Sequence, residues 1–527
     1  MNEGFEVDFA ADRPRGFTGR GDKYLGDIIQ ELRRVLRKAQ KEFVFDSCRL
    51  PDGTWIEVAA LLVEWAEDIH NNIGLWRTVE THQQKCFGTP LPLIVGASPP
   101  VELRGFDPRR IQFLLAGVWP WLNPERVISP GHTDLKRLAE TASRLLTERF
   151  ARLPQDSGVK RFLAGANEHG WDVKRKLVWM GSHSYLFRWP FIQYLKAREG
   201  DPDIQVQDDF ICQRCTEWSG LGVIDVLAGT LDLPAEDRAT LLTWHERHFS
   251  YFRALTRNED ETEVKFITVR NVVNGRPYTI RMNMPDCPFV PGMVVWGALT
   301  PWRGEWYWSG GQAPVGKVSE ADEAGLRKEM LERFSATAYC YCPEEAAQAL
   351  AMTRKIHAEF VAHYGSDCVM FPDGLTLAAA EQKHMEAQWR AMDQEKVARL
   401  MRERGLEQAG PKRNFPPEFL QHEQGIGVFS NPDEGVEYVI RFNAILSGLR
   451  RRGTGLTDEE RDVLYALVAD PAISPAFVRR LVAEHGAESL AETFLARDPD
   501  TGLVIEYLLR KYKGQFYRRR YPSLSLV

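Results

Sequence analysis

The stretch Met293-Val-Val-Trp-Gly-Ala-Leu-Thr-Pro-Trp-Arg-Gly-Glu-Trp-Tyr-Trp-Ser-Gly-Gly-Gln312 decides the fold. Two apolar runs flank the turn-forming pair Arg303-Gly304, so the segment reads as a β-hairpin. Upstream, Tyr278, Ile280, Met282 and Met284 alternate with Thr279, Arg281 and Asn283. That period of two marks a strand with one buried face. The strand pattern spans Val264 to Gln312 and predicts a compact antiparallel sheet or a small barrel. Trp296, Trp302, Trp306 and Trp308 within it are four of the fifteen tryptophans in the chain.

Outside this stretch the spacing is helical. Leu25, Ile28, Ile29, Leu32, Val35, Leu36 and Ala39 recur on one helix face, and Trp55 to Ile69 repeats the pattern. Asp134 to Phe150 does so again behind a cap at Thr133. Gly88 to Pro108 reads as an irregular connection. Ala235 to Leu255 reads as a helix with acidic Glu236 and Asp237 in its first turn. Pro202 to Phe210 reads as a loop or short strand, and the acidic run Asn258-Glu-Asp-Glu-Thr-Glu263 as a boundary. Beyond the β stretch, Val318–Phe334, Pro343–Tyr364 and Leu377–Gly405 return to helical spacing. Ala409-Gly-Pro-Lys-Arg-Asn-Phe-Pro-Pro417 cannot continue a helix and reads as a linker. The remainder is helical, with starts at Thr457 and Pro475. The expected fold is therefore α+β: a predominantly α-helical multidomain protein with a small antiparallel β sheet or barrel module inserted in the middle. Its expected units are 1–157, 158–260, the β module 261–318, 319–408, the linker 409–417, and 418–527.

At 527 residues the chain exceeds what one hydrophobic core serves. Its 44% hydrophobic and 27% charged residues exclude the disordered class. A net charge of −6 gives no global attraction to nucleic acid or anionic membranes, so any such binding needs a local patch. The N-terminal segment has neither the basic nor the apolar region of a secretory signal. The apolar run Ile111–Leu122 contains Pro120 and is shorter than the roughly 20 residues of a membrane span. No membrane partner is expected. Eight scattered cysteines fit a reducing compartment, so the expected location is the cytoplasm.

Cys212 and Cys215, followed by His245 and His248, have the residue types of a tetrahedral zinc shell, with the two histidines at helical i, i+3 spacing. The competing reading is two core cysteines and unrelated histidines. Arg510, Lys511, Lys513, Arg518, Arg519 and Arg520 interleave with aromatic rings, which suits phosphate neutralisation and base stacking, or a final helix packed on a core. Trp302, Trp306 and Trp308 form either a partner-binding face or the cover of a barrel core. Glu263-x-Lys265 with Asp203 carries the residue types of a metal-dependent nuclease, but runs into an Asn274-Gly275 hairpin in place of a parallel crossover. Ser182 and His183 precede Asp208 and Asp209 without a triad arrangement. No catalytic residue is assigned.

Pro291-Gly292-Met-Val-Val-Trp-Gly-Ala-Leu299 with the Trp308-Ser-Gly-Gly311 that follows resembles the central β module of uncharacterised bacterial cytoplasmic proteins, some of which carry a SEC-C metal motif. Phe360-Val-Ala-His-Tyr-Gly365 and Asn431-Pro-Asp-Glu-Gly435 extend the likeness into the C-terminal half. The SEC-C motif itself is absent, and the resemblance implies no established reaction. The expected function is a non-catalytic protein-binding, scaffold or regulatory component of an operon-encoded multi-protein system. A nucleic-acid-associated protein and a metal-dependent hydrolase or nuclease are the alternatives.

Overall fold

The strand pattern closes on itself. In the computed structural model, β1 (His248–Asp260), β2 (Glu263–Asn271), β3 (Pro277–Arg281), β4 (Met293–Trp302) and β5 (Glu305–Lys317) form a closed barrel in the order β1-β2-β3-β5-β4. The structure describes residues 12–43, 49–96, 102–123, 128–198, 203–260, 263–282, 288–403, 414–495 and 500–522. Tyr278 and Ile280 turn inward while Pro277 and Thr279 stay exposed, as the alternation requires. They meet Phe252, Val269, Val295 and Leu299 in the barrel core. The β4–β5 bend is a two-residue turn with Arg303 at φ 47° and Gly304 at φ 82°, the left-handed pair that a tight hairpin demands.

Two features differ from the sequence expectation. The barrel closes through a parallel contact of β3 with β5, at Ile280 and Trp306, so the sheet is mixed and not purely antiparallel. The module also begins earlier. The helix Ala235–Leu242 tightens into the 3₁₀ turn Thr243–Glu246 and passes directly into β1, so the residues read as helix up to Leu255 are strand from His248 onward. The cause lies in two-sided burial. Phe252 and Ala254 face the barrel core, whereas Phe249 and Tyr251 pack outward on Trp296, and Phe249 also meets Phe334. A strand apolar on both faces loses its period-two signature. Of the acidic run expected as a boundary, Asn258 to Asp260 end β1 and Glu263 opens β2, Asp260 pairing with Glu263, and Glu261 and Thr262 lie outside the described residues.

The chain divides into two units, Met1–Pro343 with Phe494–Arg518, and Glu344–Thr493 with Arg519–Val527. In the first, the barrel lies in a unit of helices beginning with Asp22–Ala39 and Thr54–Asn71. Pro202 lies outside the described residues. The rest of the segment expected as loop or strand is the helix Ile204–Asp209, capped by the Asp203 carboxylate accepting from the Val206 N–H at 2.6 Å. A π-helical turn, Phe210–Arg214, continues it. The helix Thr501–Tyr512, read from sequence as part of the last unit, belongs to the first.

The second unit holds a sheet that the sequence reading assigned to helices: β6 (Cys368–Phe371), β7 (Ile426–Asn431) and β8 (Gly435–Ile440), antiparallel in the order β6-β7-β8. Asn431 to Gly435 is its hairpin turn. The long charged helix expected over Leu377–Gly405 is two helices, Gly374–Ala391 and Gln394–Glu403. Residues 409–413 of the expected linker lie outside the described residues. Thr457 and Glu460 form the anticipated capping box, each side chain accepting from the other's backbone N–H. No helix among the described residues is long and apolar enough to cross a membrane.

Candidate functional site

The structure separates the four residues of the anticipated zinc shell. Cys212 is wholly buried in the π-helical turn, with its Sγ 3.7 Å from Asp208 Oδ1 and 3.9 Å from Lys174 Nζ. Cys215 is also buried, and burial pushes its thiol up. His245 turns to Asp225, with Nε2 2.9 Å from Oδ1, and its Nδ1 lies 3.2 Å from the Cys212 carbonyl oxygen. His248 stands among the rings of Tyr278, Trp306 and Tyr341, where burial lowers its imidazole to about 4. Among the described residues, no group of three or more His, Cys, Asp or Glu side chains is placed to hold a metal ion. The i, i+3 argument fails because a 3₁₀ turn ends between the histidines and a strand begins.

Of the hairpin tryptophans, Trp302 is core, and Trp306 and Trp308 are half-buried against the barrel core. Trp302 is fully buried, donates from Nε1 to the Asn167 carbonyl oxygen at 3.0 Å and meets Trp244 edge to face. Trp306 packs on Tyr278 and His248, and Trp308 on Phe252 and Phe289. The C-terminal cations make contacts within the protein, with Lys513 buried, Arg519 exposed and the others half-buried. Arg510 bonds Glu506 at 2.7 Å and lies 4.1 Å over the Tyr517 ring. Lys513 is buried, and Arg518 reaches Asp225 at 3.1 Å. Arg519 stacks over Tyr521 and Arg520 pairs with Glu434 at 3.2 Å. Ser182 donates to the Val178 carbonyl of its own helix, and His183 faces Asp12.

Two polar constellations emerge that local spacing does not announce. The first centres on Asp208, which is 2% exposed and accepts from Lys174, Arg247 and the Ser309 hydroxyl, the last at 2.9 Å. Two cations surround one carboxylate, and Arg247 also reaches Asp209 at 3.5 Å. The cluster joins the helix Gly170–His183, the helix Ile204–Asp209 and β5. A fully paired buried charge of this kind holds elements in register.

The second is a cavity of about 210 Å³. The helix Leu75–Phe87 supplies Gln83, the helix Pro108–Leu122 supplies Phe113 and Gly117, and the helix Thr501–Tyr512 supplies Tyr507, Lys511 and Tyr512. Between them runs Thr216-Glu217-Trp218-Ser219. Trp218 (φ 46°) and Ser219 (φ 65°) are consecutive left-handed residues without glycine, a conformation that costs roughly 1–3 kcal/mol each and persists only where the surroundings impose it. The surroundings do so here. Trp218 Nε1 donates to the Leu186 carbonyl at 3.1 Å, and the Trp218 carbonyl accepts from Gln83 Nε2 at 3.2 Å. His82 Nε2 lies 3.0 Å from the Ser219 carbonyl, and the Trp218 ring stands edge-on to Trp76 at 5.6 Å. Gly117 is required by this approach, because a Cβ there would lie 2.5 Å from the indole.

The cavity has unusual electrostatics. Burial raises the Glu217 carboxyl to about 7 against the pull of Lys511, and burial lowers Lys511 to about 8 against the pull of Glu217. Gln83 is fully buried, and its Oε1 has no hydrogen-bond partner among the described residues. Aromatic walls, a strained loop and two perturbed charges thus converge on one concavity. Its residues come from five remote segments, Leu186 supplying the fifth, so only the fold assembles them. Lys511 was the one member visible as a candidate in the sequence, for a different role. No family model, curated protein or solved structure matches the chain.

Proposed function

We propose that the protein is a ligand-binding regulatory component whose binding site is the cavity around Thr216–Ser219. The observation that carries this reading is the loop itself: two strained residues held by three neighbouring segments, opening onto two shifted charges. A structural loop has no need of any of these, and each is a cost that a bound molecule offsets. The volume lies below the roughly 300–1,000 Å³ of drug-sized sites, so the occupant is a small metabolite. The expected role as a non-catalytic component of a bacterial multi-protein system is retained in this form, with occupancy of the cavity as the signal. The internal use of Arg510, Lys513 and Arg518 argues for this reading over nucleic-acid binding.

Thermal unfolding with small aromatic probes tests it. L-phenylalanine, phenethylamine, 3-phenylpropanoate and 3-phenylpropanol are each titrated against the native chain and a Gly117→Leu variant, whose side chain crowds Trp218. A probe at about 100 times its Kd is expected to stabilise the native protein by about 2.7 kcal/mol and to leave the variant unchanged. If all four probes act equally, or not at all, on both proteins, the cavity is not the binding site.

A further inference from the structure

The two charges of the cavity stand on one lining, and the rest of that lining is ringed by aromatic side chains. Glu217 follows Thr216 on the loop, and Lys511 reaches the same space from the helix Thr501–Tyr512. Among the described residues no salt bridge joins the two, although each acts on the other. Lys511 Nζ reaches the Ala116 carbonyl oxygen at 3.5 Å, and its other donors, like the Glu217 carboxyl, are available to a third party. A carboxylate selects a donor-rich cation, whereas an ammonium selects an anion. A molecule that satisfies both must carry opposite charges a short distance apart. The remaining walls, Phe113, Trp121, Trp218 and Tyr507, select an apolar, preferably aromatic, body.

Resting on the cavity reading above, we infer that the ligand is a zwitterionic α-amino acid with an aromatic or large apolar side chain, its ammonium on Glu217 and its carboxylate on Lys511. Binding closes the charge pair through the ligand. Trp218 and Tyr507 enclose the side chain. The shifted ionisation of both groups fits this arrangement, because desolvation of each outweighs the pull of the other.

Calorimetric titration of the full chain with L-phenylalanine and its single-charge and neutral analogues is the test. L-phenylalanine is expected to bind at least about tenfold more tightly than phenethylamine or 3-phenylpropanoate, as befits loss of one charged hydrogen-bonding partner. Lys511→Met should weaken L-phenylalanine and 3-phenylpropanoate about tenfold or more and leave phenethylamine unaffected. Glu217→Gln should weaken L-phenylalanine and phenethylamine and leave 3-phenylpropanoate unaffected. Equal affinity of 3-phenylpropanol or of either single-charge analogue would overturn the zwitterion while preserving the cavity as a site. Absence of binding by all four molecules would overturn both. Unfolding midpoints of the two variants separate lost recognition from lost structure.

Discussion

Replacing Asp208 by alanine will destabilise the first unit by about 3–5 kcal/mol, the range for breaking a buried ion pair by removing one partner. Lys174 and Arg247 would then be left facing each other with no carboxylate between them, and the Ser309 hydroxyl would lose its acceptor. Arg247 is 2% exposed and cannot escape to water. Its remaining contacts, Asp209 at 3.5 Å and Gln213 at 3.4 Å, are too long to replace what is lost. Urea unfolding followed by tryptophan fluorescence measures the effect, read as a fall in the midpoint because two units need not unfold together. A loss below about 1 kcal/mol would mean that Asp208 is not the hub of the network.

The second large effect is expected at Trp302. Its ring fills the contact between the barrel and Trp244, and its Nε1 holds the Asn167 carbonyl. Trp302→Ala should cost about 3–5 kcal/mol through lost burial and the cavity left behind. An exposed hot spot would behave differently, since truncating it would abolish partner capture and leave stability nearly unchanged. Differential scanning calorimetry separates these outcomes, and an unchanged melting temperature would restore the hairpin as a binding face.

How far the sequence reveals the protein depends on the range of the interactions involved. Periodicity located the barrel hairpin, the helices Asp22–Ala39 and Thr54–Asn71 and the Thr457 capping box, because these signals are local and one-sided. It missed the start of the barrel, since β1 buries Phe252 inward and Phe249 outward, and the two faces together mimic a helical stripe. The sheet of the second unit was missed for a related reason. Ile426 to Asn431 is buried at every position and carries no alternation, and its partner strand β6 is only four residues long. The π-helical turn and the strained Trp218–Ser219 pair have no sequence signature at all, because neighbouring segments impose them. The cavity is less legible still. Gln83, Phe113, Glu217 and Lys511 acquire their meaning only once four segments meet.

The same reasoning explains why the obvious motifs misled. Cys212, Cys215, His245 and His248 have the right donor atoms, but Asp225 and the Cys212 carbonyl engage His245 and a ring cage encloses His248. Composition at the C-terminus suited phosphate binding or a final helix packed on a core, and Arg510 and Arg518 make contacts of the second kind, with Glu506 and Asp225.

The central claim is that Glu217 and Lys511 are held for a ligand and do not stabilise the fold. Comparing the stability of the native chain with Glu217→Gln across pH tests it most directly. The Glu217 carboxyl is raised from 4.5 to about 7 in the folded protein, so the unfolded chain ionises first and stability falls as pH rises through that window. Glutamine does not titrate. The variant should therefore match the native protein near about pH 4, gain on it steadily between the two values, and be the more stable of the two at about pH 8. Lys511, the charge that faces Glu217, and the neighbouring Cys215 thiol are retained in both proteins. A variant that is less stable than the native chain at about pH 8 would show that the two charges form a structural ion pair, and the account of the cavity would be contradicted.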